Sequence, residues 1–284
     1  MIKNYFKIAF RNLFRNKFYS LLNISGLAIG VACCLMIMLF VSDELGYDSY
    51  YENSNETYRL TMAGALNGSA FDLAVVGPSV GKAMLEDYPE VINFARFRQN
   101  GSPFIRFGDN VFKEEKFIWA DHSSLEIFGI ELIQGNPENA LTQPKSLVMS
   151  ESAAAKYFGK EDPVGQIIEF GTNKDYKVTG VYKDIPHNTH FDFDVMASMG
   201  KLDGAGEPCW LSMSLQGYIL LSKGADINKM ASLFPAMLKK YIGPEAKRFM
   251  NMEWEEMEEN GTSLAFGMQP VTDIHLTSDL QGEL

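Results

Sequence analysis

The chain has 284 residues, a formal net charge of −11 at neutral pH and three cysteines. That length suits one large domain or two smaller ones, and so acidic a balance argues against nucleic acid as a partner. Cys33 and Cys34 share one apolar stretch, which leaves Cys209 alone elsewhere and no disulfide framework to stabilise a fold.

Residues 1–17 carry Lys3, Lys7, Arg11, Arg15 and Lys17 and no acid. Wound as a helix, Lys3, Lys7, Arg11 and Arg15 form one stripe, while Ile2, Phe6, Phe10 and Leu13 gather on the opposite side. The spacing predicts an amphipathic helix lying on the cytoplasmic leaflet, its basic side toward anionic headgroups. The plainer alternative is the basic flank of any inward-facing anchor.

Residues 18–42 predict a transmembrane helix. Within them, 24–41 read ISGLAIGVACCLMIMLFV with no ionisable side chain. At helical rise this stretch covers roughly 27 Å, close to the ~30 Å hydrocarbon core of a bilayer. Its Leu, Ile, Val and Phe residues favour insertion by roughly 3 to 5 kcal/mol. A soluble core helix would keep a polar face, and a cleaved signal peptide would have a shorter apolar region and a small-x-small site before Asp43 and Glu44. Basic residues before the span and Asp43, Glu44, Asp48 and Glu52 after it place the N-terminus in the cytoplasm and 43–284 outside. Beyond residue 17, 20 basic residues face 36 acidic ones, a formal charge of −16. Gly26 and Gly30 form a small-xxx-small pair that would admit a second helix.

Past the span, a strand is expected at 58–62, a helix at 77–88 with Pro78 in its first turn, and a strand at 91–98. Short β segments follow at 104–107, 111–113 and 117–120, then a small helix at 123–128 and a turn at Gly135, Asn136 and Pro137. A strand at 147–149 leads through Ser150, a suitable N-cap, into a helix at 151–158 that stops at Gly159. DPVGQ at 162–166 reads as a turn between that helix and strands at 167–170 and 174–183. Phe191, Phe193 and Val195 alternate with Asp192, Asp194 and Met196, the period of a half-buried strand. Residues 200–210, rich in Gly and Pro, mark a boundary; a strand at 215–221, a helix at 226–241, an acidic Met-rich segment to Glu259 and a strand at 263–268 complete the chain.

These residues assemble no catalytic constellation. His187, His190, Asp192 and Asp194 are acceptable metal ligands by type, yet strand alternation puts the aspartates on a solvent face and the histidines fall in a turn after Pro186. The acidic cluster at 253–259 lacks the Asp, Asn and Gly offsets of a Ca²⁺ loop and reads as a solvated helix face. GxxxxGK[ST], GxSxG and HExxH are all missing, so no catalytic, cofactor-binding or metal residue is assigned.

The strings FKIAFRNLFRNKFYSLLNISGLAIG, YDSYYENSNETYRL, SESAAAKYFG, DPVGQ, VTGVYKDIPHNTHFDF and QPVTDIHL, in this order, resemble the MacB-like/FtsX-like permeases of ABC transporters over nearly the whole chain. The resemblance implies an α+β architecture: one N-terminal transmembrane helix followed by a two-lobed α/β extracytoplasmic domain at 43–284, its distal lobe at about 200–265. It implies a bacterial inner membrane, a cytoplasmic ABC ATPase subunit that supplies ATP hydrolysis, a second permease copy (identical or paralogous) and a periplasmic adaptor as partners. It also implies export by mechanotransmission, in which ATP-driven closure on the inner side reaches the outer domains. Family members have three further membrane helices, so the resemblance implies either a fragment of a longer permease, the reading favoured here, with 266–284 heading back to the bilayer, or a truncated reading frame that does not transport alone. The alternative function is a single-pass, membrane-anchored binding module without transport.

Overall fold

The computed structural model describes residues 2–66, 68–99, 101–170, 174–201 and 209–284, which divide into two units, Met1–Gly46 and Tyr47–Leu284. In the first, α1 (Ile2–Arg15) is interrupted at Asn16 before α2 (Lys17–Leu45) begins. Among the described residues α2 is the one helix long and apolar enough to cross a membrane, and none of its residues is buried. Its 29 residues extend about 43 Å at helical rise. Leu27, Ile29, Leu35, Ile37, Leu39 and Phe40 all stand exposed, an arrangement that water penalises and lipid does not. The Gly46 N–H closes the helix on the carbonyls of Ser42 and Asp43, each at 3.1 Å.

The second unit starts with the hairpin β1 (Thr57–Leu66) and β2 (Ser69–Leu73). Helix α3 (Val80–Asp87) follows Pro78 and turns Val80, Ala83 and Met84 inward; β3 (Val91–Arg98) comes next. Strands β4 (Phe104–Phe107) and β5 (Asn110–Lys113) form a hairpin turned by Gly108, whose φ of +58° suits a residue without Cβ. Then come β6 (Phe117–Ala120), α4 (Ser123–Ile127), β7 (Leu132–Gly135) and β8 (Ser146–Ser150). Helix α5 (Glu151–Phe158) is capped as its sequence predicts: the Ser150 hydroxyl accepts from Ala153 N at 3.1 Å, and Gly159 leaves the helix at φ +62°. β9 (Ile167–Phe170), β10 (Lys174–Tyr182), β11 (Val195–Ser198), β12 (Gln216–Leu221), α6 (Ile227–Met250), α7 (Trp254–Glu259), β13 (Ser263–Pro270) and α8 (Ile274–Thr277) complete it.

Among the described residues one mixed sheet of 13 strands runs β13-β1-β12-β3-β6-β11-β8-β10-β9-β4-β5, with β2 beside β1 and β7 beside β10. It has two halves. In the first, β1, β3, β12 and β13 enclose a core with α3 and α6 that contains Leu60, Met84, Trp210, Phe234 and Phe266. In the second, β6 and β8–β11 pack on α5 around Phe117, Tyr157, Phe170 and Tyr176. Between β3 and β6 only Phe97↔Ala120 and Arg98↔Trp119 are paired. A third cluster, centred on Phe97, Phe128, Phe191, Phe193, Tyr182 and Tyr218, draws side chains from both halves.

Two expectations differ from the structure. The expected strand through 191–194 is irregular: the Asp194 and Val195 N–H groups both donate to the Lys116 carbonyl, and β11 begins only at Val195, buried at every position between β6 and β8. Phe191 and Phe193 do point inward, but from a loop. Helix α6 runs past the expected end at 241, through Pro235 and Pro244, because Ile242 and Ala246 are buried in the core and hold its last turns. Of the segment at about 200–265, residues 202–208 lie outside the described residues; in the rest, β12 runs between β1 and β3 and shares a sheet and core with 57–98. The two halves of the sheet meet where β3 pairs with β6 through two residue pairs.

Candidate functional site

The segment that follows α2 enters the second unit at once. Tyr47 stacks on His275 of α8, ring centroids 3.6 Å apart and planes 10° from parallel. Asp48 is fully buried in a left-handed backbone conformation, φ +59°, which an aspartate tolerates better than most residues. Its N–H donates to the Asn188 carbonyl at 2.9 Å, and its Oδ1 accepts from the His190 backbone N–H at 2.9 Å and from His190 Nδ1 at 2.7 Å. Tyr51 then inserts its ring edge-on against Phe128 and Phe191.

The opposite nitrogen of that imidazole, Nε2, lies 3.0 Å from the Tyr218 hydroxyl on β12. A carboxylate can only accept, so Nδ1 carries a proton toward Asp48; in the neutral ring that leaves Nε2 as the acceptor for the Tyr218 O–H. Burial pushes the Tyr218 hydroxyl far above the usual tyrosine range, while the Arg59 guanidinium beside it pulls the other way. The phenol therefore stays protonated and able to donate. Arg59 sits directly across the ladder from Tyr218 on one side and Gln269 on the other. Only 1% of its side chain is exposed. It is held by a two-point ion pair with Glu283, by Gln269 Oε1 at 2.5 Å and by Ser278 Oγ at 2.6 Å.

Glu283 belongs to a strap, residues 278–284, laid along the sheet. Gln281 N donates to the Asp72 carbonyl at 3.0 Å, and Ala74 N donates to the Gln281 carbonyl at 2.8 Å. Gln216 Nε2 donates to the Gly282 carbonyl at 2.9 Å, and Leu284 packs on the aromatic cluster. One polar chain thus runs Asp48, His190, Tyr218, Arg59, Glu283 through an otherwise apolar interior. Asp48 Oδ2 and Arg59 Nε, both buried, have no hydrogen-bond partner among the described residues. A buried network in this condition is costly to rearrange one member at a time.

The residues singled out from sequence lie elsewhere. Lys3, Lys7, Arg11, Arg15 and Lys17 are exposed along α1 and the start of α2. A Cβ added at Gly26 or Gly30 would meet no atom within 4 Å, so both positions are open. Of the histidine string, His190 is occupied at both ring nitrogens by Asp48 and Tyr218, whereas Asp192 is exposed and pairs with Lys116 at 2.6 Å. Among the described residues no three His, Cys, Asp or Glu side chains gather in a way that could hold a metal ion. The acidic helix α7 is tied outward, Glu255 to Lys239 at 2.6 Å and Glu253 to Lys247 at 2.5 Å. Asp48, Arg59, Tyr218 and Glu283 carried no signal in sequence beyond their places in a flank, two strands and a tail.

The fold is shared with a permease-protein domain from Porphyromonas gingivalis, with a TM-score of 0.66 at 20% identity over 78% of this chain and 91% of that one. The periplasmic region of MacB from Actinobacillus actinomycetemcomitans aligns at 14% identity and a TM-score of 0.46, covering 81% of this chain and 99% of that one. The extracellular domain of the noncanonic ABC-type transporter YknZ from Gram-positive bacteria aligns at 15% identity and a TM-score of 0.47, covering 75% and 99%. No curated protein matches the chain. The model of the MacB-like periplasmic core domain matches residues 20–235, from within the apolar helix to the middle of α6. With an apolar helix preceding an α+β sheet domain, and most of its length matched in this way, the chain belongs to the MacB-like periplasmic core domain family.

Proposed function

We propose that the chain is the first membrane helix and the extracytoplasmic core of an ABC-type permease in the bacterial inner membrane, one that passes motion between a cytoplasmic ATPase and the cell exterior. The observation that carries this reading is how soon the segment that follows the apolar helix is built into the extracytoplasmic core. Gly46 caps α2, and Asp48, two residues later, is already locked to Asn188 and His190 in the interior. Membership of the family supports an ABC-transporter setting with an ATPase partner. In this reading α1 rests on the inner leaflet through Lys3, Lys7, Arg11 and Arg15, and Gly26 and Gly30 admit a helix from a second permease copy.

The test is a pull-down of the full chain from native membranes, followed by hydrogen exchange on the recovered assembly with and without ATP. Recovery of an ABC ATPase, with ATP-dependent protection at 47–54 that a flexible Gly-Ser insertion after Gly46 abolishes, is the expected result. If no ATPase is recovered and exchange ignores ATP, the single-pass anchored binding module takes its place.

A further inference from the structure

We infer that the Asp48–His190 contact and the Arg59–Glu283 contact are the two ends of one latch, which keeps the 278–284 strap seated on the sheet while Asp48 is seated and frees it when Asp48 is withdrawn. This deepens the reading above and rests on it for its biological purpose, although the latch is testable without ATP or a partner.

Arg59 donates to Glu283 at one end and stands directly across the ladder from Tyr218; Tyr218 donates to Nε2 of the neutral His190 ring, and His190 Nδ1–H donates to Asp48 Oδ1. Withdrawing Asp48 removes the only acceptor at the far end and frees the imidazole to turn. The Tyr218 hydroxyl then loses its acceptor in an interior where it is 1% exposed. Its neighbour across the ladder is Arg59, so the hydroxyl is left to compete with a guanidinium that is itself 1% exposed for the oxygens of Gln269, Ser278 and Glu283. Glu283, at 35% exposure, is the member of the chain with water within reach, and the strap it belongs to is held to the sheet by few bonds. The end that yields is therefore the strap. By linkage the effect runs both ways: loosening Glu283 weakens the hold on Asp48.

The experiment is amide hydrogen exchange on the full chain in detergent micelles, read at Ala74 and Gln281, which tie the strap to the sheet, and at the His190 amide, which donates to Asp48. Asp48→Asn is expected to speed exchange at Ala74 and Gln281 about tenfold though it touches neither, and Glu283→Gln to speed the His190 amide similarly. In a Tyr218→Phe background, Asp48→Asn should add nothing at the strap. Should Asp48→Asn fail to fold, His190→Gln takes its place with the same expectation. The latch is refuted if Asp48→Asn accelerates His190 alone, or if amides of β8 in the other half of the sheet accelerate as much as the strap, which marks general loosening. Success here with no ATPase in the pull-down would sink the permease reading and leave the latch standing.

Discussion

Arg59 and Glu283 make an ion pair in which the two partners are not equivalent, and the asymmetry fixes which substitution costs more. The arginine side chain is 1% exposed and the glutamate 35%. Glu283→Ala leaves a guanidinium in the interior with only the neutral Gln269 and Ser278 as partners, and stranding a buried charge costs about 3 kcal/mol. Arg59→Met leaves a carboxylate that can turn to water and puts an apolar chain of similar length into the vacated space. Its cost is the lost hydrogen bonds, about 1 kcal/mol. In the double variant the stranded charge disappears, so its stability should lie near that of Arg59→Met alone, a coupling of about 3 kcal/mol. Urea unfolding of the full chain in micelles, followed by the fluorescence of Trp119, Trp210 and Trp254, measures all three variants against the parent. The reasoning fails if Arg59→Met proves as damaging as Glu283→Ala, or if the two effects simply add.

Asp184 accepts hydrogen bonds from the Ser152 hydroxyl and backbone N–H at the start of α5, which hold its carboxyl below the ordinary value of 3.8. A depressed folded value contributes stability above the unfolded value and loses it as pH falls through the folded one. Asp184→Asn should therefore cost about 1 kcal/mol at neutral pH, discounted for the exposure of the site, with the deficit vanishing in acid; a deficit that persists in strong acid contradicts this. Replacing Gly26 and Gly30 by Leu should weaken crosslinking between full-length copies in membranes, and unchanged crosslinking would remove the helix-packing role. Changing Lys3, Lys7, Arg11 and Arg15 to Gln should weaken the hold of a 1–17 peptide on anionic vesicles by about 1 kcal/mol per charge in low salt; binding indifferent to both changes would reduce the stripe to a topology signal.

What was legible in the sequence was local. β3, β4 and β6 lie where turn residues and alternation put them, and the Ser150 cap and Gly159 stop bound α5 as expected. β2 and β7 escaped because most of their residues are exposed, so neither shows the one-sided pattern that betrays a strand. The site was illegible for a different reason. His190 drew notice by residue type, but its partner Asp48 is 142 positions away and read as one more acid in a juxtamembrane flank. Arg59 fell inside the expected strand at 58–62 with nothing to mark it as buried, and its counter-charge, Glu283, lies 224 positions on. Contacts set by the closing of a sheet leave no periodic trace in either segment.

The placement of β12 between β1 and β3 has a consequence for how the chain reaches its native state. As the polypeptide emerges N-terminus first, β1 and β3 arrive early yet cannot pair with one another. Each keeps an open edge until Gln216–Leu221 has been delivered to fill the gap. Meanwhile 104–198 has nearly all its own strand partners and is able to condense first. Non-local closure of this kind is slow, and the waiting edges, which carry Leu60, Ala95 and Phe97, invite association with other nascent chains. Maturation of this protein outside the cytoplasm should therefore be sensitive to holding chaperones, and above all before its last third has crossed.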